Sequence, residues 1–141
     1  MRKILLAVVV LTASLLAGDV WQSKDLVQPK DVAADIRSPL LLYVGFPVLF
    51  RAAHIPGSVY AGPGSKTEGI EMLKKAVEGQ PKNRAIIVYC GCCPWEKCPN
   101  MRPAFTALRE MGYTNLKAMA IPENLKTDWT DKGYPIERRA E

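Results

Sequence analysis

The sequence lacks the usual features of a nucleic-acid-binding protein. Its formal net charge is only +5, and it contains no run of basic residues and no arginines interleaved with aromatic residues. Internal repeats and low-complexity tracts are absent as well. A mild positive charge permits attraction of small anions but does not indicate a nucleic-acid partner. We therefore expect the chain to bind no nucleic acid.

Histidine is also scarce, because His54 is the only one in the chain. It belongs to a turn at residues 54–57 that is built on Pro56 and Gly57, which favours a structural role. No second histidine is available to join a metal site. Histidine therefore adds nothing to a possible metal site of the cysteines.

The length of 141 residues supports one domain with a substantial core. A domain of this size buries roughly two-thirds of the surface that its unfolded chain exposes. The composition, 48% hydrophobic and 23% charged, is ordinary for a globular protein. No second domain is required.

The first 18 residues have the layout of a secretory signal. Arg2 and Lys3 precede an unbroken apolar run over residues 4–10, and residues 11–18 continue it with leucines and small residues. The run is short for a membrane span, although an uncleaved N-terminal anchor stays an alternative. Asp19 stands where a lipoprotein signal needs a cysteine, so no lipid anchor is expected. We expect an exported protein, periplasmic or extracellular, with no membrane association after cleavage and with a net charge of +3.

Strands and helices alternate along the rest of the chain. Continuous apolar runs predict buried strands at residues 40–44, 85–89 and 115–120, with a shorter strand after Gly57; helical spacing predicts helices at residues 68–78 and 103–111, with short helical segments at residues 32–36 and 48–53. This order predicts right-handed crossovers over a parallel sheet, and hence an α/β fold.

Reactive side chains are concentrated in one stretch, residues 84–100. All four cysteines of the chain lie there, directly after the apolar run at residues 85–89: Cys90, Cys92, Cys93 and Cys98. Cys90 is thus expected at the carboxyl end of a buried strand. Ligands and reactive groups collect at that edge of an open α/β sheet. The stretch is therefore the candidate active site.

Together these elements resemble the rhodanese-like (sulfurtransferase) domain family. The motifs that carry the resemblance are residues 41–44, residues 54–58, residues 86–90, Leu108 with Gly112 and Tyr113, and Trp129 with residues 133–136. The resemblance implies a small parallel-sheet α/β domain with helices on both faces. We assign residues 40–141 to this domain, residues 19–39 to an N-terminal extension, and residues 1–18 to the signal peptide.

The resemblance implies a cysteine that takes sulfane sulfur from a donor such as thiosulfate, holds it as a persulfide, and passes it to a thiophilic acceptor. By position this residue is Cys90. A loop of backbone N–H groups, backed by a helix N-terminus, would hold it as a thiolate. Gly91, Lys97 and Arg102 are candidates for binding the anion, or Lys97 and Arg102 are ordinary surface charges. The expected partners are a small sulfur anion and a thiol acceptor or redox protein, and no cofactor is implied.

The sequence departs from the family pattern in ways that bear on the site. Tyr43 and Gly45 stand where the family usually has an aspartate and an arginine, so that ion-pair network is absent. The loop that follows Cys90 is also longer than usual. Three of the four cysteines lie in or beside the extra residues, so the family's tight loop around the nucleophile is not assured.

Three interpretations of Cys92, Cys93 and Cys98 stay open. Cys98 would form a stabilising disulfide with Cys92 or Cys93. Alternatively, Cys92 or Cys93 would resolve a persulfide on Cys90 by thiol exchange. In the third, all four cysteines bind Cu(I) or Zn(II) through soft thiolate ligands. A catalytically silent interaction domain, with Cys90 locked in a disulfide, is a further alternative.

Overall fold

Five short parallel strands form the framework of the molecule. The structure, a computed structural model, describes residues 19–139, so the expected signal segment lies outside the described residues. The strands are β1 (Leu26–Val27), β2 (Leu40–Tyr43), β3 (Val59–Tyr60), β4 (Ile86–Tyr89) and β5 (Leu116–Met119), and the helices are α1 (Pro29–Ala34), α2 (Pro47–Ala52), α3 (Thr67–Ala76) and α4 (Met101–Glu110). The strands form one sheet in the order β1-β5-β4-β2-β3.

Strand β4 lies at the centre of this sheet and is buried on both faces. It pairs in parallel with β2 and with β5, and Val88 aligns with Leu42 on one side and with Ala118 on the other. All four of its side chains are buried. A continuous apolar run suits this position because helices cover both faces of a parallel sheet. The residue that follows β4 therefore leaves the middle of the sheet at its carboxyl edge.

Helices cover the sheet on both faces, which confirms the predicted fold class. On one face, α3 and α4 bury Leu73, Phe105 and Leu108 against the sheet. On the other, α1, α2 and a π-helical turn at Lys126–Thr130 contribute residues that include Phe50 and the fully buried Trp129. Within residues 19–139, no helix is both long enough and apolar enough to cross a membrane.

The segment at residues 19–39, which the sequence sets apart as an extension, is part of the sheet. Its strand β1 pairs with β5 in parallel, with Leu26 beside Ala118. Just before β1, the Asp25 carboxylate accepts a hydrogen bond from the Arg109 guanidinium on α4 at 3.0 Å. A strand of only two residues has no periodicity to read, which is why the sequence pattern does not indicate it.

Helix α4 begins closer to the cysteines than the sequence predicts. Its first residue is Met101, whereas the helical spacing predicts a start at Pro103. Proline is tolerated there because the N–H groups of the first helical turn have no partner within the helix. The N-terminus of α4 therefore follows Cys98 after only two residues, and its free N–H groups lie beside the cysteine loop.

Candidate active site

Cys90 is the first residue after β4 and lies at the carboxyl edge of the sheet. Its side chain is 2% exposed and packs in the core cluster that includes Val44 and Ala61. The loop after β2 lies beside Cys90, because the Val44 backbone N–H donates a hydrogen bond to the Tyr89 carbonyl and so continues the pairing of β2 with β4. The predicted position of Cys90 at a strand end is therefore the position that the structure shows.

The cysteine sulfurs lie together as free thiols. The Cys92 sulfur lies 3.4 Å from that of Cys90, 3.1 Å from that of Cys93 and 4.0 Å from that of Cys98. These distances are all well beyond a disulfide bond of about 2.05 Å. The disulfides that the sequence suggested for Cys98 are thus not formed in this structure. The loop instead gathers reduced thiols around the strand-end cysteine.

A short 3₁₀ turn at Trp95–Lys97 braces the loop between these cysteines. The Trp95 backbone N–H donates to the Ile121 carbonyl at 3.0 Å, and the Trp95 ring lies 5.0 Å from the Trp21 ring. Trp21 in turn packs edge-on against Phe105 of α4. The Trp95 ring therefore packs against the N-terminal segment, which fixes the far side of the loop.

Asn100 is a buried site residue that the sequence patterns do not single out. Its side-chain Nδ2 lies 3.9 Å from the Cys90 sulfur, and its Oδ1 accepts a hydrogen bond from the Ser65 backbone at 3.1 Å. It has no exposed surface. The available signal was its place immediately before α4, where asparagine is common. Asn100 connects the loop after β3 to Cys90, the residue that follows β4.

The N–H groups at the start of α4 act on Cys98 and not on Cys90. The Cys90 thiol and the backbone N–H groups of Asn100 and Met101 lower the pKa of the Cys98 thiol. Burial opposes this shift. The same interaction with Cys98, together with burial, raises the pKa of Cys90. Burial and the neighbouring sulfurs also raise the pKa of Cys93. These shifts favour ionisation of the Cys98 sulfur before that of Cys90, whereas the resemblance implies that Cys90 is held as a thiolate.

Tyr43 places an unsatisfied hydroxyl next to Cys90. Its hydroxyl oxygen is buried and has no hydrogen-bond partner within residues 19–139. Burial raises the pKa of Tyr43 well above its usual range. The hydroxyl therefore stays neutral and is free to donate a hydrogen bond to a bound group.

Residue 45 has room only for glycine, because Tyr43 and Cys90 pack closely against it. A Cβ atom built on Gly45 would lie 2.8 Å from the Tyr43 hydroxyl and 2.9 Å from the Cys90 sulfur. We expect Gly45→Ala to lower the free energy of unfolding by about 1–3 kcal/mol, because the buried ring cannot move aside freely. The Cys90 thiol is buried in the wild type, so its displacement by the new methyl group should also make it react faster with a small alkylating reagent. Chemical denaturation and alkylation followed by mass spectrometry measure the two effects.

Gly79→Ala is the matched control for this substitution. A Cβ on Gly79 meets nothing within 4 Å, but its φ of 76° strains any side chain. It should cost stability through the backbone and leave the Cys90 alkylation rate unchanged. An unchanged alkylation rate in Gly45→Ala would contradict the expected contact with Cys90.

A mostly apolar cavity of about 280 Å³ opens beside the end of β4. Its lining includes Tyr43, which lies near Cys90 in space, and Gly91, which follows Cys90 in the sequence. Two cationic side chains also line it, Lys126 and Arg138. Gly91 is packed so tightly that a Cβ on it would lie 2.8 Å from the Leu125 Cβ. Lys126 and Arg138 lie far along the chain from the cysteines, and no sequence signal connected them to the site.

The two cations that the sequence proposed for anion binding have other surroundings. The Arg102 guanidinium lies 3.3 Å from the Asp19 carboxylate and 5.0 Å from the Trp21 ring. Lys97 lines a separate surface groove with Pro94 and Trp95. A role for either residue in binding an anion stays a prediction, and the cavity beside Gly91 offers different cations.

His54 has the surroundings of a structural residue. It is 1% exposed, its Nδ1 donates to the Phe50 carbonyl at 2.7 Å, and its ring stacks on the Phe50 ring at 3.9 Å. Its Nε2 lies 3.4 Å from the Glu137 carboxylate. His54 therefore joins α2 to the C-terminal segment and is not part of the cysteine site.

Comparison with known proteins places most of the described residues in one family. Residues 19–120 match the rhodanese-like domain family. The crystal structure of the Alr3790 protein from Anabaena sp. is similar with a TM-score of 0.63 and 16% identity, over 82% of this chain and 94% of that one. The solution structure of the rhodanese-like domain of the same protein has a TM-score of 0.60 and 17% identity, over 81% and 79% of the two chains.

A third similar structure is the 3-mercaptopyruvate sulfurtransferase from Leishmania major. Its TM-score is 0.57 and its identity 11%, over 82% of this chain and 36% of that one. Likeness at these identities shows the fold alone. No protein with a curated description matches the sequence.

Proposed function

Because the chain belongs to the rhodanese-like domain family, we propose that it is a sulfurtransferase that carries sulfane sulfur as a persulfide on Cys90. The observation that carries this proposal is the placement of Cys90 as a buried thiol directly after the central strand β4. That is the position of the persulfide-forming cysteine which the family resemblance implies. Similar folds that include a sulfurtransferase support the assignment in general terms.

The proposed reaction with thiosulfate has two steps. The Cys90 sulfur attacks the sulfane sulfur, the S–S bond of thiosulfate breaks, and sulfite leaves with the bonding electron pair. An acceptor thiolate then attacks the outer sulfur of the persulfide and releases Cys90. Cys90 must lose its proton before the first step, because the thiolate and not the thiol is the nucleophile.

The cavity beside Gly91 is the proposed route for the sulfur anion and the acceptor. Lys126 and Arg138 supply positive charge in its lining, and the free Tyr43 hydroxyl supplies a hydrogen-bond donor near Cys90. Cations and neutral donors in a partly dry pocket stabilise a developing sulfite anion more strongly than water does. Gly91 lines this pocket and directly follows Cys90 in the chain, which supports its predicted role in the substrate site.

We further propose that the protein acts outside the cytoplasm, on the basis of the signal-like residues 1–18. In an oxidising compartment four adjacent thiols need a reducing partner, because cysteines pair there unless they are used or protected. A thiol redox protein would keep Cys90 available. Fractionation of cells that express the full chain tests the location directly.

Intact mass spectrometry of the reduced protein, before and after thiosulfate, tests the proposed function. We expect a gain of about 32 Da, one sulfur atom, that maps to Cys90 and is removed by an added thiol. Alkylated protein is the control, because it cannot accept sulfur. If reduced protein gains no sulfur from thiosulfate or 3-mercaptopyruvate, the proposal is overturned.

The same spectrum reports whether Cys92 resolves the persulfide. The Cys92 sulfur lies 3.4 Å from that of Cys90, close enough to attack its inner sulfur. That attack forms a Cys90–Cys92 disulfide and releases hydrogen sulfide, so the chain ends two hydrogen atoms lighter than the reduced form. Conversion of the sulfur-loaded mass to this lighter mass would identify the protein as a sulfide-releasing enzyme.

A further inference from the structure

The sulfurs of Cys90, Cys92 and Cys98 already have the arrangement of a three-coordinate metal site. All three lie within 4.8 Å of one another, and two of the separations are 3.4 and 4.0 Å. With metal–sulfur bonds of about 2.3 Å, three sulfurs around one ion lie about 4 Å apart. Only small adjustments of the side chains would bring each sulfur to bonding distance from a common centre.

The donors in this group are all thiols. No carboxylate or imidazole in residues 19–139 joins them, and His54 is held by Phe50 on α2. Thiolate donors select soft cations, above all Cu(I) and Zn(II), while structural zinc almost always takes four ligands. The Cys93 sulfur lies 3.1 Å from that of Cys92 but is not within the common 4.8 Å of the other three. Three thiolate ligands therefore favour Cu(I), which is stable in three-coordinate thiolate sites.

We propose that Cys90, Cys92 and Cys98 form a three-coordinate site for a soft monovalent cation, Cu(I). Cys90 and Cys98 are the buried ligands and are supplied by the end of β4 and by the residues before α4, respectively. Cys92 is exposed and gives an incoming ion access to the buried pair. Binding releases the thiol protons, and copper is taken up and held as Cu(I) without a change of oxidation state.

The surroundings of the sulfurs support the site. The Asn100 side chain reaches the Cys90 sulfur, and Asn100 is itself fixed by the Ser65 backbone. The residues that flank the three ligands are short of space, as the close packing of Gly45 on Cys90 shows. Groups that orient metal ligands in this way typically contribute about 10- to 100-fold to metal affinity. Asn100→Ala should therefore lower the affinity for copper by about this factor. The ligands are therefore positioned before the ion arrives.

Copper and a persulfide would compete for Cys90, but the copper site does not depend on the proposed sulfur transfer. The test is titration of reduced, full-length protein with Cu(I) under anaerobic conditions, in competition with a chromogenic Cu(I) chelator. We expect one Cu(I) per chain, with a thiolate-to-copper absorption band. Cys92→Ser is the decisive variant, since an exposed residue can be replaced without loss of the fold. The affinity of this variant for Cu(I) should fall by more than about 100-fold. That loss is larger than the one expected for a residue that only orients a ligand.

Cys93→Ser is the matched control, because Cys93 adjoins Cys92 but lies outside the three-sulfur group; it should bind copper as the wild type does. Wild-type affinity in a folded Cys92→Ser protein overturns the proposal, and so does an equal loss in Cys93→Ser. Tighter binding of Zn(II) than of Cu(I) also overturns it. Persulfide formation is measured separately on copper-free protein, so failure of one proposal is distinguishable from failure of the other.

Discussion

Replacing Cys90 with serine is expected to abolish sulfur transfer from thiosulfate, with a loss of at least about a thousandfold in kcat/KM. A serine hydroxyl cannot form a persulfide, and no other thiol follows the central strand β4 directly. Serine is close to cysteine in size, so the buried position should keep its packing and the fold should survive. The measurement is sulfite release from thiosulfate, with the mass gain on the protein followed in parallel.

Cys93→Ser provides the control for this experiment. It removes a thiol from the same loop, only three residues away, while the Cys90 sulfur keeps its contacts with Cys92 and Asn100. We expect it to retain most of the activity. Wild-type transfer by a folded Cys90→Ser protein would show that another sulfur carries the persulfide, and Cys98 would be the first to examine.

The fold could be predicted because its central strands carry a strong local signal. Residues 40–44 and 85–89 are continuous apolar runs, and β2 and β4 lie within them as neighbouring buried strands. Strand β1 escaped prediction because two residues show no periodicity, and its existence depends on pairing with β5 far along the chain. Propensity describes local segments, whereas an edge strand of this length is created by tertiary contacts.

The site could be predicted only in its anchor residue. Cys90 follows a strand whose position is fixed by the sheet, so its place at the carboxyl edge followed from sequence. Cys92 and Cys98 lie close to Cys90 only because of the path of an irregular loop. No periodicity in the sequence predicts that path. Lys126 and Arg138 come to the adjacent cavity from the C-terminal region, while the Arg102 side chain pairs with Asp19. The positive charges that line this cavity therefore could not be identified from the residues near Cys90 in the sequence.

The second large effect is expected in the ionisation of Cys98. In reduced, metal-free protein, we expect a thiolate absorbance to appear well below pH 8.5, the usual pKa of a free cysteine being about that value. The interaction with Cys90 and the backbone N–H groups of Asn100 and Met101 lower the pKa of Cys98. Ultraviolet titration of the thiolate measures this, and Cys98→Ser should remove the early transition.

The same shift predicts how stability depends on pH. Between the lowered pKa of Cys98 in the folded protein and its ordinary value, the unfolded chain binds more protons, so stability rises with pH. This contribution is lost as the pH falls through the folded pKa. The raised pKa of Cys90 has the opposite sign and lowers stability only above the ordinary thiol range. Denaturation at several pH values should therefore show a rise up to about pH 8.5 and a decline beyond it.

Cys98→Ser and Cys93→Ser separate this mechanism from a general effect of the loop. Cys98→Ser should flatten the rise in stability below about pH 8.5 and should return the pKa of Cys90 toward its ordinary range, because the neighbouring thiolate is gone. Cys93→Ser should weaken the early transition only in part, because the Cys93 thiol lowers the pKa of Cys98 less than the Cys90 thiol does. An early thiolate that persists in Cys98→Ser would assign the resting anion to another sulfur. Its loss would assign the resting anion to Cys98.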